Sequence, residues 1–246
     1  MEWIYFSPHL DDVALSCGGL VWEQRRAGQR VSIWTLCAGD PPPEALSPFA
    51  QSLHARWGTG ADAVALRRQE DRAACGALEV DYRHLNVPDC IYRREEVSRQ
   101  ALYASESDIF GELKGEEEPL VDRLSAMLQE ELPEAATLVC PLTVGGHVDH
   151  RLTRAVVEKA QHAGWELWYY ADYPYIQNKA QALAHLAPSL AWNMHTYALS
   201  EAGMQAWLRA VTAYTSQIST FWQDFDTMRA ELSAYAHQAG GARLRP

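Results

Sequence analysis

The 246-residue chain holds five cysteines, Cys17, Cys37, Cys75, Cys90 and Cys140, and no C-x-x-C pair. An odd count at wide spacing excludes a disulfide framework and a thiolate zinc site. Small buried hydrophobes describe these cysteines better. No apolar run approaches the roughly 18 residues that a membrane span needs. No basic segment followed by an apolar one opens the chain. The expectation is a cytoplasmic protein without a membrane partner. Positive charge is scarce too, with 21 Lys and Arg against 32 Asp and Glu, a net charge of −11. That balance argues against nucleic acid as a partner. No G-x-G-x-x-G follows the first apolar run, and Gly18-Gly19 comes too late to cradle a pyrophosphate there. Repeats and low-complexity tracts are missing as well.

What remains is an ordinary soluble composition, 48% hydrophobic and 22% charged. At this length one α/β domain can bury roughly 70–75% of its unfolded surface. The apolar run Trp3-Ile4-Tyr5-Phe6 predicts a buried strand, Val13 to Gly28 a helix, and Arg30 to Cys37 a second strand. That is β-α-β with a crossover suited to parallel pairing. Residues 38–62, rich in Pro, Gly and Ser, predict a lid or substrate loop. Further helices are expected over Ala61–Leu78, from the Glu116-Glu117-Glu118-Pro119 run to about Leu132, and over Arg151–Ala163. Strands are expected over Tyr82–Val87, Thr137–Leu142 and Glu166–Tyr170. A short helix (178–187), a strand (191–198) and a helical tail from Ser200 to about His237 complete the pattern. The fold class is therefore α/β: a Rossmann-like three-layer sandwich with a mostly parallel sheet, in a single domain over 1–246 whose helical part starts near 200.

Two polar turns interrupt this pattern, each after a predicted strand. The first is Ser7-Pro8-His9-Leu10-Asp11-Asp12 and the second is Gly145-Gly146-His147-Val148-Asp149-His150. His9 and Asp12 are three apart, as are His147 and His150, so each turn can aim two groups at one point. His9, Asp12 and one of the two later histidines make a two-His-one-carboxylate set with an open position, the pattern of a catalytic metal site. Such a set accepts Zn²⁺ or Fe²⁺. Asp149 alone can serve as a helix cap, and Arg67 with Glu70 as an i,i+3 surface pair.

Taken together these residues resemble the PIG-L/LmbE-type zinc-dependent N-deacetylases. Pro8-His9-Leu10-Asp11-Asp12 is similar to that family's (P/A)-H-P-D-D, and His147-Val148-Asp149-His150 to its H-P-D-H. Arg67-x-x-Glu70 with Ala74 and Leu78, Asp89 after the third strand, and Tyr214-Thr215-Ser216-Gln217 extend the likeness. The resemblance implies a Rossmann-like hydrolase that removes acetyl from an N-acetylated sugar or glycoconjugate. It implies His9, Asp12 and His150 as zinc ligands, Asp11 as general base, and His147 as the group that stabilises the oxyanion or protonates the amine. Asp149 would support a ligand histidine from behind. Arg67, Glu70 and Asp89 would lie at substrate hydroxyls or support the walls. Leu10 and Val148 depart from the family's prolines, and Glu79 from a glycine that often ends the helix. Gly145 stands where some members carry an oxyanion tyrosine, and Tyr173 or Tyr175 is the expected substitute and sugar contact.

The chemistry agrees with that reading. Amide hydrolysis needs an activated water, a polarised carbonyl and a proton for the leaving nitrogen. An imidazolium at His147 is expected to stabilise the tetrahedral intermediate. Two alternatives stay open: an amide hydrolase of a non-sugar acylated small molecule, and a metal- or ligand-binding domain without catalysis. Asp11 beside Asp12 disfavours the second, because a binder needs no unbound carboxylate. A homo-oligomer is compatible with the composition.

Overall fold

A computed structural model describes residues 2–58, 60, 62–177, 193–195, 197–239 and 243–245. The centre of its sheet is β1 (Glu2–Ser7), in which Ile4, Tyr5 and Phe6 are fully buried. A strand covered on both faces has no polar alternation, which is why this run is continuously apolar. β2 (Arg30–Thr35) pairs parallel to one side of it, with Glu2 opposite Arg30 and Ser7 opposite Thr35. β3 (Asp81–His84) lies beyond β2. On the other side lie β4 (Ala136–Pro141), buried along its whole length, and then β5 (Trp165–Tyr170). These five strands are all parallel. Two short strands, β6 (Asn193–His195) and β7 (Arg243–Arg245), extend the β5 edge antiparallel, giving the order β3-β2-β1-β4-β5-β7-β6. The helix expected over 178–187 lies outside the described residues; of the strand expected over 191–198, Asn193–His195 form β6 and 197–198 are not in a strand.

Helices cover both faces. They are α1 (Asp12–Arg26), α2 (Pro48–Arg56), α3 (Ala63–Leu78), α4 (Glu106–Ile109), α5 (Glu118–Glu131) and α6 (Val148–Ala160). The expected single helical tail is three helices: α7 (Glu201–Thr212), α8 (Thr215–Phe221) and α9 (Phe225–Ala239). The breaks fall at Tyr214, which has non-helical ψ, and at the extended Trp222. Among the described residues, no helix is long and apolar enough to cross a membrane.

α1 is kinked at Cys17 (φ −152°, ψ 22°). Beside the kink, the buried Trp207 indole N–H of α7 donates to the Ala14 carbonyl at 2.6 Å. Gly18 and Gly19 make room for this contact. A Cβ on Gly18 would stand 2.7 Å from the Trp207 ring, and one on Gly19 2.8 Å from Leu199. The glycine pair thus serves helix–helix packing. Glu79 caps α3 with φ 58°, a left-handed conformation that glycine adopts without penalty.

Candidate active site

The order of strands reverses across β1 and β4, and in open α/β sheets ligands bind beyond the carboxyl ends at such a switch point. The two polar turns leave those two strands there and meet. The His9 and His147 rings stand edge-on with centroids 4.9 Å apart, and His150 lies 5.6 Å from His9 and 5.5 Å from His147. Ring nitrogens of all three fall within 4.8 Å of one another. The Asp12 carboxylate bridges two of them, with Oδ2 at 3.1 Å from His9 Nδ1 and Oδ1 at 3.4 Å from His150 Nε2.

Each of these two histidines has a carboxylate behind it. His9 Nε2 donates to the fully buried Asp149 at 2.9 Å, which leaves Nδ1 facing the centre. His150 Nδ1 donates to buried Asp172 at 2.5 Å, which leaves Nε2 facing the centre. Metal-binding histidines are oriented in this way, with the remote N–H held by a carboxylate. Burial opposes charge on His150, but Asp12 and Asp172 outweigh it and push its pKa up to about 10. Burial also opposes charge on His9, and Asp12, Asp149 and Asp89 hold its pKa well above the ordinary value. Acids that retain two protons in a buried cleft also suit a divalent cation in their place. The donor set fits a metal.

His147 differs. It caps α6, with Nδ1 accepting from the Asp149 N–H at 3.2 Å. Burial and the neighbouring His9 push its pKa down to about 3. The ring is therefore neutral with its proton on Nε2, which corrects the expected imidazolium. Asp11 lines the same cavity without a hydrogen bond to the histidines, its carboxylate accepting from Arg67 at 3.3 Å. Burial pushes the Asp11 pKa up to about 6 against the pull of Arg67.

The remaining expected residues divide. Arg67 and Asp89 line the cavity, and Asp89 lies 3.7 Å from His9 Nε2. Tyr175 lines it too, edge-on to His150 at 6.1 Å. A Cβ on Gly145 would meet the Tyr175 ring at 2.5 Å, so this ring fills the space above residue 145. Tyr173 is in the core and not in the cavity wall: it is 1% exposed, stacks near Trp222 and Tyr235, and accepts from Gln177. Arg67 and Glu70 are not an exposed pair; both are buried and they hold different partners. Glu70 accepts from Thr215 Oγ1, Ser216 N and Ser216 Oγ at 2.6–2.8 Å, which clamps the start of α8 and supports the wall.

A family model described as PIG-L: GlcNAc-PI de-N-acetylase matches residues 4–161, a span that includes both polar turns. The chain belongs to the PIG-L family. It is similar to the 2'-N-acetylparomamine deacetylase of Niallia circulans, 30% identical over 194 residues, which are 73% of this chain and 70% of that protein. The Streptomyces fradiae protein of the same name is 30% identical over 69% of this chain and 56% of its own length. In three dimensions the chain resembles the zinc-inhibited form of teicoplanin deacetylase Orf2. The TM-score is 0.79, with 26% identity, covering 99% of this chain and 96% of that one.

Within this PIG-L chain two buried residues escape sequence reasoning. Asp172 orients His150, and its only signal is that of an acid closing β5, as Asp89 follows β3. Arg93 sits against Asp149 at 2.6 Å and also pairs with Glu117, to which the Tyr103 hydroxyl donates at 2.6 Å. Arg93 thereby stabilises the negative charge behind His9. It comes from the polar stretch 92–119, which has no periodicity to assign it.

Proposed function

We propose that this chain is a metal-dependent hydrolase that removes acetyl from an N-acetylated sugar or glycoconjugate. The carrying observation is that His9 and His150, each backed by a buried carboxylate, converge on Asp12 while Asp11 stands beside them bound to neither. In this reading His9 Nδ1, Asp12 and His150 Nε2 hold the metal, Zn²⁺ or Fe²⁺. When bound, the ion supplies Lewis acidity, lowering the pKa of water and polarising an amide carbonyl.

Asp11 takes the proton of the attacking water and passes it to the leaving nitrogen; Arg67 keeps its carboxylate in place. The neutral His147 offers Nε2–H to the developing oxyanion, a contact whose loss typically costs about 10²–10³ in rate. Tyr175 flanks the same space from above Gly145. Arg67 and Asp89 border the cavity, of about 170 Å³, where sugar hydroxyls would lie. The deacetylases to which the chain is similar support this reading of its substrate.

The test is acetate release from N-acetylated sugars by zinc-loaded protein. Asp11→Asn is expected to keep its metal, by elemental analysis, and to lose at least about 10²-fold in kcat. Full activity of that variant would remove Asp11 as the base. Acetate release from no N-acetylated sugar would overturn the reading itself.

A further inference from the structure

The geometry points to a substrate whose sugar is joined to an apolar aromatic or alkyl aglycone, with Phe110 and Phe221 as the residues that select it. The chemistry of this inference rests on the proposed deacetylase reading; the binding does not. The chain has five phenylalanines, and three of them, Phe49, Phe110 and Phe221, line this one cavity. They come from three separate segments: α2, the residue after α4, and the end of α8. Phe110 is 38% exposed, among the few large apolar side chains so exposed in the described residues. Its ring stands edge-on to His147 at 5.5 Å and to Tyr175 at 6.1 Å, directly above the polar floor. The cavity is thus charged at the bottom and apolar toward the mouth.

The Phe49 and Phe221 walls are fixed in advance. Phe49 and Trp57 pack on a satellite core that includes Ala50, Leu53, Ile91 and Ile109. Phe221 belongs to the helix that Glu70 clamps. A rigid apolar wall gains by being covered, and little ordering opposes it. A free N-acetylhexosamine is polar around its ring and covers the floor alone. A polycationic aglycone is the competing occupant, favoured at long range by the net charge of −11. Beyond the floor, however, the cavity's charged side chains are Arg56 and Glu106, which oppose each other in sign. An apolar aglycone matches the phenylalanine walls better than a polycation does.

Zinc-loaded protein is compared on N-acetylglucosamine, 4-nitrophenyl N-acetyl-β-glucosaminide and 2'-N-acetylparomamine, with acetate release as the readout. The aryl glycoside is expected to exceed the free sugar by about tenfold or more in kcat/KM, the scale of discrimination that one apolar pocket provides. Phe110→Ser and Phe221→Ser should each reduce that ratio, and Phe110→Leu should retain most of it. A second arm measures calorimetric binding of 2-naphthyl β-glucoside, which has no amide, to wild type and Phe110→Ser. Binding that weakens in the variant supports the inference even if no sugar is deacetylated, a result that overturns the deacetylase reading alone. Equal rates on the free and aryl sugars, preference for the polycation, or absence of naphthyl glucoside binding would overturn the inference.

Discussion

At the scale of the residue, the site depends on which nitrogen of each histidine faces inward. His9 turns Nδ1 to the centre because Asp149 takes Nε2, and His150 turns Nε2 because Asp172 takes Nδ1. Without these carboxylates either ring can flip or change tautomer, and the two inward nitrogens lose their common target. Asp172→Asn keeps the shape and removes the charge. It is expected to weaken metal affinity about 10–100-fold, measured by competition with a chromogenic chelator. Unchanged affinity would mean that His150 holds no metal. His147 has a backbone N–H where the other two have acids, and so it stays neutral and free to donate.

At the scale of the element, packing overrides local preference. Alanine is a better helix former than glycine by about 1 kcal/mol, yet Gly18→Ala places a methyl 2.7 Å from the Trp207 ring. The expected result is a loss of about 1–3 kcal/mol, seen as a lower urea midpoint with an unchanged slope. Glu70 is a second case, where an apparent surface pair clamps the start of α8. Glu70→Gln removes a charge that faces a helix N-terminus, and stability should fall by about 1–3 kcal/mol. Metal content should not change, because Glu70 contacts none of the proposed ligands. Loss of metal in that variant would place Glu70 in the site instead.

At the scale of the whole molecule, the two polar turns follow neighbouring strands far apart in the chain, so occupancy of the proposed metal site is expected to be coupled to folding. An ion that binds only the folded state adds about 2.7 kcal/mol at a free concentration 100 times its dissociation constant. Chelation is expected to lower the melting temperature and Zn²⁺ to restore it, in wild type and in Asp11→Asn alike. A melting temperature unmoved by chelator would argue that His9, Asp12 and His150 hold no ion.

Much of this architecture was legible in the chain itself. Runs rich in apolar residues identified β1, β2, β4 and β5, and the run is continuous in β1, which is covered on both faces. The turn composition placed His9, Asp11, Asp12, His147 and His150 at strand ends, where the structure brings them together. Three things required the tertiary structure. Asp172 acts on a histidine 22 positions away, a pairing that no local period records. Tyr173 and Tyr175 are two residues apart in one aromatic run, and only the path after β5 sends one ring into the core and the other over Gly145. The protonation of His147 depends on burial and on neighbours from another strand, so its charge belongs to the assembled cleft and not to the motif.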